Sequence, residues 1–188
     1  AAMLTQTDPR LTGADAPQIV IIRTSGDKIQ DRRLADIGGK ALFTKEIERA
    51  LVDNEIDMAV HSAKDLETTL APGTVLASTL PREDVRDALI APGCNSLADL
   101  PRGAIIGTAS LRRQSQLLRA RPDVQVQLMR GNVETRLAKL AAGDVQATFL
   151  AAAGLNRLGK ADVIDALLDP DEMLPAAGQG AIAVQCRD

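Results

Sequence analysis

The sequence predicts an α/β protein of two lobes, with mixed, mainly parallel sheets and a hinge of two chain connections. Three observations carry this expectation. Short aliphatic runs alternate with amphipathic stretches along most of the chain, the pattern of strands joined through covering helices. The helical stretches carry start and stop residues at the appropriate ends. Polar or basic clusters follow the strand-like runs, where open α/β sheets place their ligand sites.

The elements follow in order. "APQIVIIRTSGD" reads as a strand entering a polar loop. "KALFTKEIERALVDNE" reads as a helix, with Leu42, Phe43, Ile47, Ala50 and Leu51 at helical spacing. "IDMAVHSAKD" reads as a short buried strand that leaves through a polar turn, and "GTVLASTL" as another strand. "PREDVRDALIAPGCNSLADLPRG" is rich in turn residues and reads as a connection. A regular series then begins. "AIIGTAS" is a strand and "LRRQSQLLRARP" a helix ended by Pro122; "VQVQLMRG" is a strand and "NVETRLAKLAAG" a helix. Asn132 is placed as N-cap of that helix and Gly143 as its stop. "VQATFLAAAG" reads as a strand, "LNRLG" as the start of a helix, and "LPAAGQGAIAVQC" supplies a last strand. Residues 1–84 are expected to form a first domain, completed by a strand at 178–188, and residues 85–175 a second.

Composition narrows the function. The 188 residues are 45% apolar and 25% charged, enough to bury a core. Phe43 and Phe149 are the only aromatics, which argues against stacking on single-stranded nucleic acid. A net charge of −3 gives no overall basic footprint for DNA or RNA. Cys94 and Cys186, with one histidine, lack metal-site spacing, so no metal is expected. Two thiols and no long apolar run point to the cytoplasm and away from the membrane. Both ends read as cut, so the chain is expected to be a fragment.

The basic residues are bunched at the predicted strand ends. The clusters are Arg23 to Asp27, His61 to Asp65, Thr108 to Arg113, Arg130-Gly131-Asn132 and Gly154 to Arg157, with Lys40 after Gly38-Gly39. Ser110 is placed to cap a helix whose N–H groups face an anion. Arg112 and Arg113 add forked donors that match carboxylate or phosphate. The expectation is a cationic cleft with one acid, Asp65, set among cations that hold it ionised.

Three other patterns carry less. His61, Ser62 and Asp65 lie too close together for a Ser–His–acid triad, whose members converge from separate elements; His61 reads as a packed structural residue. "GQGAIA" lacks the preceding strand and following helix of a dinucleotide fingerprint, so its glycines read as a close-approach turn. "GGKALFTKE" lacks P-loop spacing.

Taken together, "GGKALFTKEIE", "AVHSAKDLE", "REDVRDAL", "IGTASLRRQSQL", "MRGNVETRLAKL", "LAAAGLNRLG" and "LPAAGQGAIAVQC" resemble the porphobilinogen deaminase (hydroxymethylbilane synthase) family over nearly the whole chain. The resemblance implies two periplasmic-binding-protein-like lobes with the active site between them. It implies a transferase of tetrapyrrole (haem) biosynthesis that joins four porphobilinogen molecules, with release of ammonia, into linear hydroxymethylbilane. It also implies a dipyrromethane cofactor, held by a cysteine of a third, C-terminal domain that is expected to be absent here. A monomer is implied. The partners implied are porphobilinogen and the growing polypyrrole, with no nucleic acid and no membrane.

Each pyrrole carries acetate and propionate groups, so the resemblance makes Lys40, Lys64, Arg112, Arg113, Arg130, Arg136 and Arg157 their cationic partners. Ser62, Thr108 and Ser110 add hydroxyls, and Gly131 and Gln179 complete the binding set. Asp65 becomes the catalytic carboxylate. Departures are Asp36 where some members carry lysine, Ala109 in place of a hydroxyl, Ala41 in place of glycine, and a missing N-terminal "TRxSxLAxxQ" segment. The incomplete chain is expected to be inactive alone. The alternative is a non-catalytic two-lobed module that binds small anions, which would gain nothing from Asp65.

Overall fold

Aliphatic, Ala-rich segments form two sheets in this computed structural model, which describes residues 4, 6, 8, 10–28 and 42–188. The strands among the described residues are β1 (Met58–Ser62), β2 (Thr74–Thr79), β3 (Asp87–Ile90), β4 (Ile105–Gly107), β5 (Gln125–Gln127), β6 (Ala147–Ala151), β7 (Ala166–Leu167) and β8 (Ile182–Arg187). The α-helices are α1 (Ser25–Lys28), α2 (Lys45–Val52), α3 (Leu111–Ala120), α4 (Val133–Ala141) and α5 (Ala152–Arg157). The first sheet has the order β1-β8-β2 and the second β5-β4-β6-β3-β7. No helix among the described residues is long and apolar enough to cross a membrane.

The α/β class and mixed sheets agree with expectation, but the mainly parallel pairing does not. Parallel pairing is confined to β5–β4–β6, and every other pairing is antiparallel. The reason is β8. It returns from the far sheet and inserts between β1 and β2 against their direction.

The larger sheet is buried on both faces. Leu89, Ile106, Ala147 and Phe149 face one core, with Leu117 of α3. Ala88, Ile90 and Leu150 face the other, packed by Leu155 of α5 and by Val133, Leu137 and Leu140 of α4. Each such Leu, Ile or Phe contributes ~1.5–3 kcal/mol when fully buried. Two covered faces explain why β3, within the stretch read as a connection, is an uninterrupted "DALI" without polar alternation. The smaller sheet differs. β1 alternates, with Ala59 and His61 inward and Met58, Val60 and Ser62 outward, so the expectation of a fully buried strand fails there. Residues 17–24 do not form the expected strand either. Ile19 and Ile21 are 79% and 86% exposed, and the segment pairs with no described strand even though β1 ends its sheet.

The predicted caps are in place. Ser110 Oγ accepts the Arg113 N–H at 3.4 Å at the start of α3. Asn132 Oδ1 accepts the Thr135 N–H at 2.8 Å at the start of α4. Gly143 ends α4 with φ +79°, a conformation that favours glycine.

Two connections join the sheets. Residues 80–86 lead out and residues 168–181 lead back. They run side by side, with Leu80 N–H donating to Ile182 O at 3.0 Å and Glu83 N–H to Gly180 O at 3.1 Å. "GQG" makes this approach possible. Gly178 has φ +70°, and a Cβ there would meet the Ala63 and Lys64 backbone at 3.1–3.2 Å. Gly180 has φ +88°, and its Cβ would strike the Glu83 carbonyl oxygen. The glycines therefore serve a close-approach turn, as the sequence implied.

Gly93 provides a control, since it has φ +83° with open space around its Cβ position. Gly93→Ala is expected to cost ~1–2 kcal/mol from left-handed strain alone. Gly180→Ala should cost ~3 kcal/mol or more, because the backbone collision adds to that strain. Denaturant unfolding of both variants measures the difference, and equal losses would refute the clash.

Candidate active site

The site is assembled where β1 and β4 end and the return connection passes. β1 runs into a single 3-10 turn, Ala63–Asp65. The Ala63 N–H donates to Ala181 O at 3.0 Å, so the return connection fixes where the turn points. Ser62, Lys64 and Asp65 all reach solvent, whereas His61 is buried. No described residue hydrogen-bonds to the Asp65 carboxylate. Crowding by protein raises its pKa, against the opposing charges of Lys64 and His61. Desolvation thus outweighs the charges of its basic neighbours. Burial likewise lowers the His61 pKa, and its Nε2 makes no hydrogen bond among the described residues.

Facing this turn is the first turn of α3. Thr108 Oγ1 accepts the Ser110 N–H at 3.1 Å and shapes the approach to the cap. Arg112 and Arg113 follow, in a first turn without acidic residues. Their main partner is Asp87, the first residue of β3. Its Oδ1 lies 2.7 Å from Arg113 Nη2 and its Oδ2 2.7 Å from Arg112 Nη2. Arg113 Nη1 donates to Phe149 O at 2.9 Å, and Arg112 Nη1 to Leu174 O at 2.5 Å. Arg112 remains partly open to the cleft. Arg113 is 6% exposed, with both terminal nitrogens engaged by protein, so it is not the open fork the sequence implied. Its Nε is buried without a hydrogen-bond partner among the described residues.

Asp87 is the functional residue that sequence reasoning missed. It is fully buried. Burial raises its pKa, but the Arg113 hydrogen bond, the charges of Arg113 and Arg112 and the Gln179 amide leave it below the ordinary carboxylate range. The available signal was an acid directly before the apolar run "ALIA"; the surrounding Pro, Gly and charged residues made the segment read as a loop.

The remaining predicted residues divide. Arg136 Nε donates to Gly131 O at 2.8 Å. Burial and the nearby charges of Arg113 and Arg130 lower its pKa to about 10. Gly131 has φ +123°, and a Cβ there would press on Thr135. Arg130 is buried and donates through Nη2 to Gly26 O at 2.9 Å. Arg157 Nη2 donates to Gly180 O at 2.7 Å, bracing the return connection. Gln179 is 1% exposed. Its amide nitrogen donates to Val85 O at 2.7 Å and Asp87 Oδ1 at 2.9 Å, and its oxygen accepts from Lys64 Nζ at 3.4 Å. That leaves Gln179 no polar atom directed at a ligand, contrary to expectation. Lys40, with Asp36 and Ala41, lies outside the described residues.

One electrostatic row therefore joins both sheets. Burial lowers the Lys64 pKa, as do Arg113 and Arg112, while Asp65 and Asp87 oppose them. Arg113 is also felt by Arg136. Several cations sense one another with few counter-charges, an arrangement that a polyanion would relieve.

Known proteins place this geometry in context. A family model described as "Porphobilinogen deaminase, dipyromethane cofactor binding domain" matches residues 2–188. A porphobilinogen deaminase of Nitrobacter hamburgensis is 61% identical over 175 residues, covering 92% of this chain and 55% of that protein. One of Caulobacter vibrioides is 59% identical over 174 residues, covering 93% and 54%. A chloroplastic one of Oryza sativa subsp. japonica is 59% identical over 172 residues, covering 92% and 48%. The chain thus spans about half the length of the curated relatives it matches. Among solved structures, a putative methionine-binding lipoprotein from Bacillus subtilis is 14% identical, with TM-score 0.47 over 77% of this chain and 68% of that one. The periplasmic aliphatic sulphonate binding protein SsuA from Escherichia coli is 16% identical, with TM-score 0.44 over 76% and 48%. With the family model spanning all but the first residue, the chain belongs to the porphobilinogen deaminase family.

Proposed function

We propose that the chain supplies the catalytic cleft of a hydroxymethylbilane synthase, which condenses porphobilinogen head to tail with loss of ammonia. The observation that carries this reading is Asp65 beside Lys64, which in turn feels the charges of Arg112 and Arg113. Cations alone would serve an anion-binding module. A solvent-reaching carboxylate with a raised pKa among them serves chemistry that develops positive charge.

The substrate explains both signs. Porphobilinogen carries two carboxylates, and a growing chain carries more. Arg112, Lys64, Arg136 and Arg130 would bind these, each charge-assisted bond contributing ~1.5–3 kcal/mol. Ser62, Thr108 and Ser110 lie at the same strand ends and add hydroxyls. Loss of ammonia leaves a cationic methylene-pyrrolenine, which the next pyrrole attacks through its free α-carbon. Asp65 would stabilise that cation at the pyrrole N–H, carry a proton toward the leaving amine and take one from the new ring carbon. A raised pKa brings its proton affinity closer to those transfers.

The buried Arg113 Nε without a partner and the excess of cations fit the family's dipyrromethane cofactor, whose carboxylates Arg112, Arg113, Arg130 and Arg136 would hold. When bound, that group supplies the primer to which pyrrole units are added. The two sheets would then close over the chain about residues 80–86 and 168–181.

In the full-length protein, Asp65→Asn is expected to lower kcat for ammonia release on the order of 100-fold or more, with the unfolding midpoint unchanged. Near-normal turnover would remove Asp65 from this role. The pH dependence tests its environment. Asp65 acts as the anion, so activity is lost as pH falls through its pKa, which lies above the ordinary value of 3.8. The Lys64 charge holds that pKa down, so Lys64→Met should move the acid limb of kcat/KM to higher pH. An unmoved limb would assign it to another group.

A further inference from the structure

Asp87 and Gln179 are buried, yet between them they contact Arg112, Arg113 and Lys64. We propose that they form a positioning pair: Asp87 aims Arg112 and Arg113, and Gln179 ties that ion cluster to the Lys64–Asp65 turn of the other sheet. The inference rests on the functional reading above, but its geometry stands apart from it.

The need for an anion follows from α3. Cations in a helix's first turn oppose the positive end of the helix dipole, and two adjacent guanidinium groups repel each other. Asp87 answers both effects with two short contacts of 2.7 Å. Its position is set by β3, whose register with β6 pairs Asp87 with Ala151. The anchor is therefore a sheet residue rather than a loop residue, and it holds the arginines in fixed directions. Removing the carboxylate while keeping its shape would leave two guanidinium groups without their counter-ion and free them to turn.

Gln179 extends the arrangement across the connections. Its amide nitrogen is shared between Val85 O on the outgoing connection and Asp87 Oδ1. Its oxygen faces Lys64 Nζ at 3.4 Å, and its backbone carbonyl accepts from Arg82 Nε at 2.9 Å. Gly178 brings this residue against the Ala63–Lys64 backbone. One buried amide thus sets the distance between the arginine helix and the acid-bearing turn. Every polar atom of that amide is engaged by protein.

The test uses Asp87→Asn and Gln179→Met in the full-length protein, assayed where circular dichroism shows each fully folded. Asp87→Asn is expected to raise KM for porphobilinogen ~10-fold, as charge-assisted contacts lose their aim. Gln179→Met keeps the ion cluster, so KM should hold while kcat falls ~10-fold or more, since small misplacements of a catalytic group are costly. A purely structural role would lower the unfolding midpoint and leave both constants of the folded protein unchanged. That result in both variants overturns the proposal. If Asp87→Asn does not fold, the KM-against-kcat split of Gln179→Met decides alone.

The basic limb gives a further readout. Lys64 faces Asp65, Asp87, Arg112 and Arg113. Loss of the Asp87 charge should therefore move a Lys64 limb to lower pH, and an unmoved limb in folded Asp87→Asn speaks against the link. Arginine Nε–H NMR signals separate this proposal from the functional reading. Signals of Arg112 and Arg113 should shift and broaden in Asp87→Asn even if the wild-type protein does not act on porphobilinogen. Unchanged signals overturn the aiming role whatever the activity.

Discussion

The contact of the Asp87 carboxylate with Arg112 and Arg113 is the constraint on which the rest of the site depends. It lies where the outgoing connection becomes β3, where α3 begins and where the return connection passes. A buried pair of this kind is seldom a net gain over apolar packing, but leaving one partner alone is costly, ~3–5 kcal/mol. The arrangement is therefore best understood as one that fixes directions rather than one that adds stability. Two guanidinium groups, one amide and two chain connections have a single mutually satisfactory geometry, because each uses the same four-sided carboxylate environment.

Much of this was legible in the sequence, for physical reasons. Ser110, Asn132 and Gly143 announce helix ends through local hydrogen bonding and backbone conformation, which need no tertiary context. The positions of Lys64, Asp65, Arg112 and Arg130 could be anticipated because strand ends in α/β sheets deliver side chains to one place, whereas Arg136, within a helix, was named only through the family resemblance. What escaped depends on partners distant in sequence. β3 lacks polar alternation because both its faces are covered, so periodicity could not mark it. β8 inserts antiparallel between β1 and β2, a choice no local signal encodes. Residues 19–22 have strand composition but pair with no described strand, and composition alone does not make a strand. Arg113 and Gln179 look like ligand-binding types until their burial is known.

The charge balance of the cleft also explains its restraint. A net-acidic chain still gathers cations locally, because Arg112, Arg113, Arg136 and Lys64 lie close enough to sense one another while Asp87 and Asp65 are the acids that Lys64 feels. The pKa of Arg136 is low for its type, about 10, chiefly through burial and then through the charges of Arg113 and Arg130. Part of each cation's hydrogen-bonding capacity is already engaged by backbone oxygens, as with Arg130 on Gly26 and Arg136 on Gly131. Such contacts orient the fork without cancelling its charge, so attraction for a polycarboxylate survives while side-chain freedom does not.

Two carboxylates in this row experience opposite environments, and that divergence assigns their work. Asp87 is enclosed, has two guanidinium partners and an amide donor, and lies below the ordinary carboxylate range. Its guanidinium partners and the Gln179 amide favour the anion. Asp65 reaches solvent, has no hydrogen-bond donor among the described residues and has its pKa raised. In the proposed reading it is the group that exchanges a proton with substrate, while Asp87 serves as anchor, and the separation depends on burial and partners rather than on sequence distance. Gln179 spans from Asp87 to Lys64, the residue before Asp65, and as a neutral amide it makes that link without adding a charge.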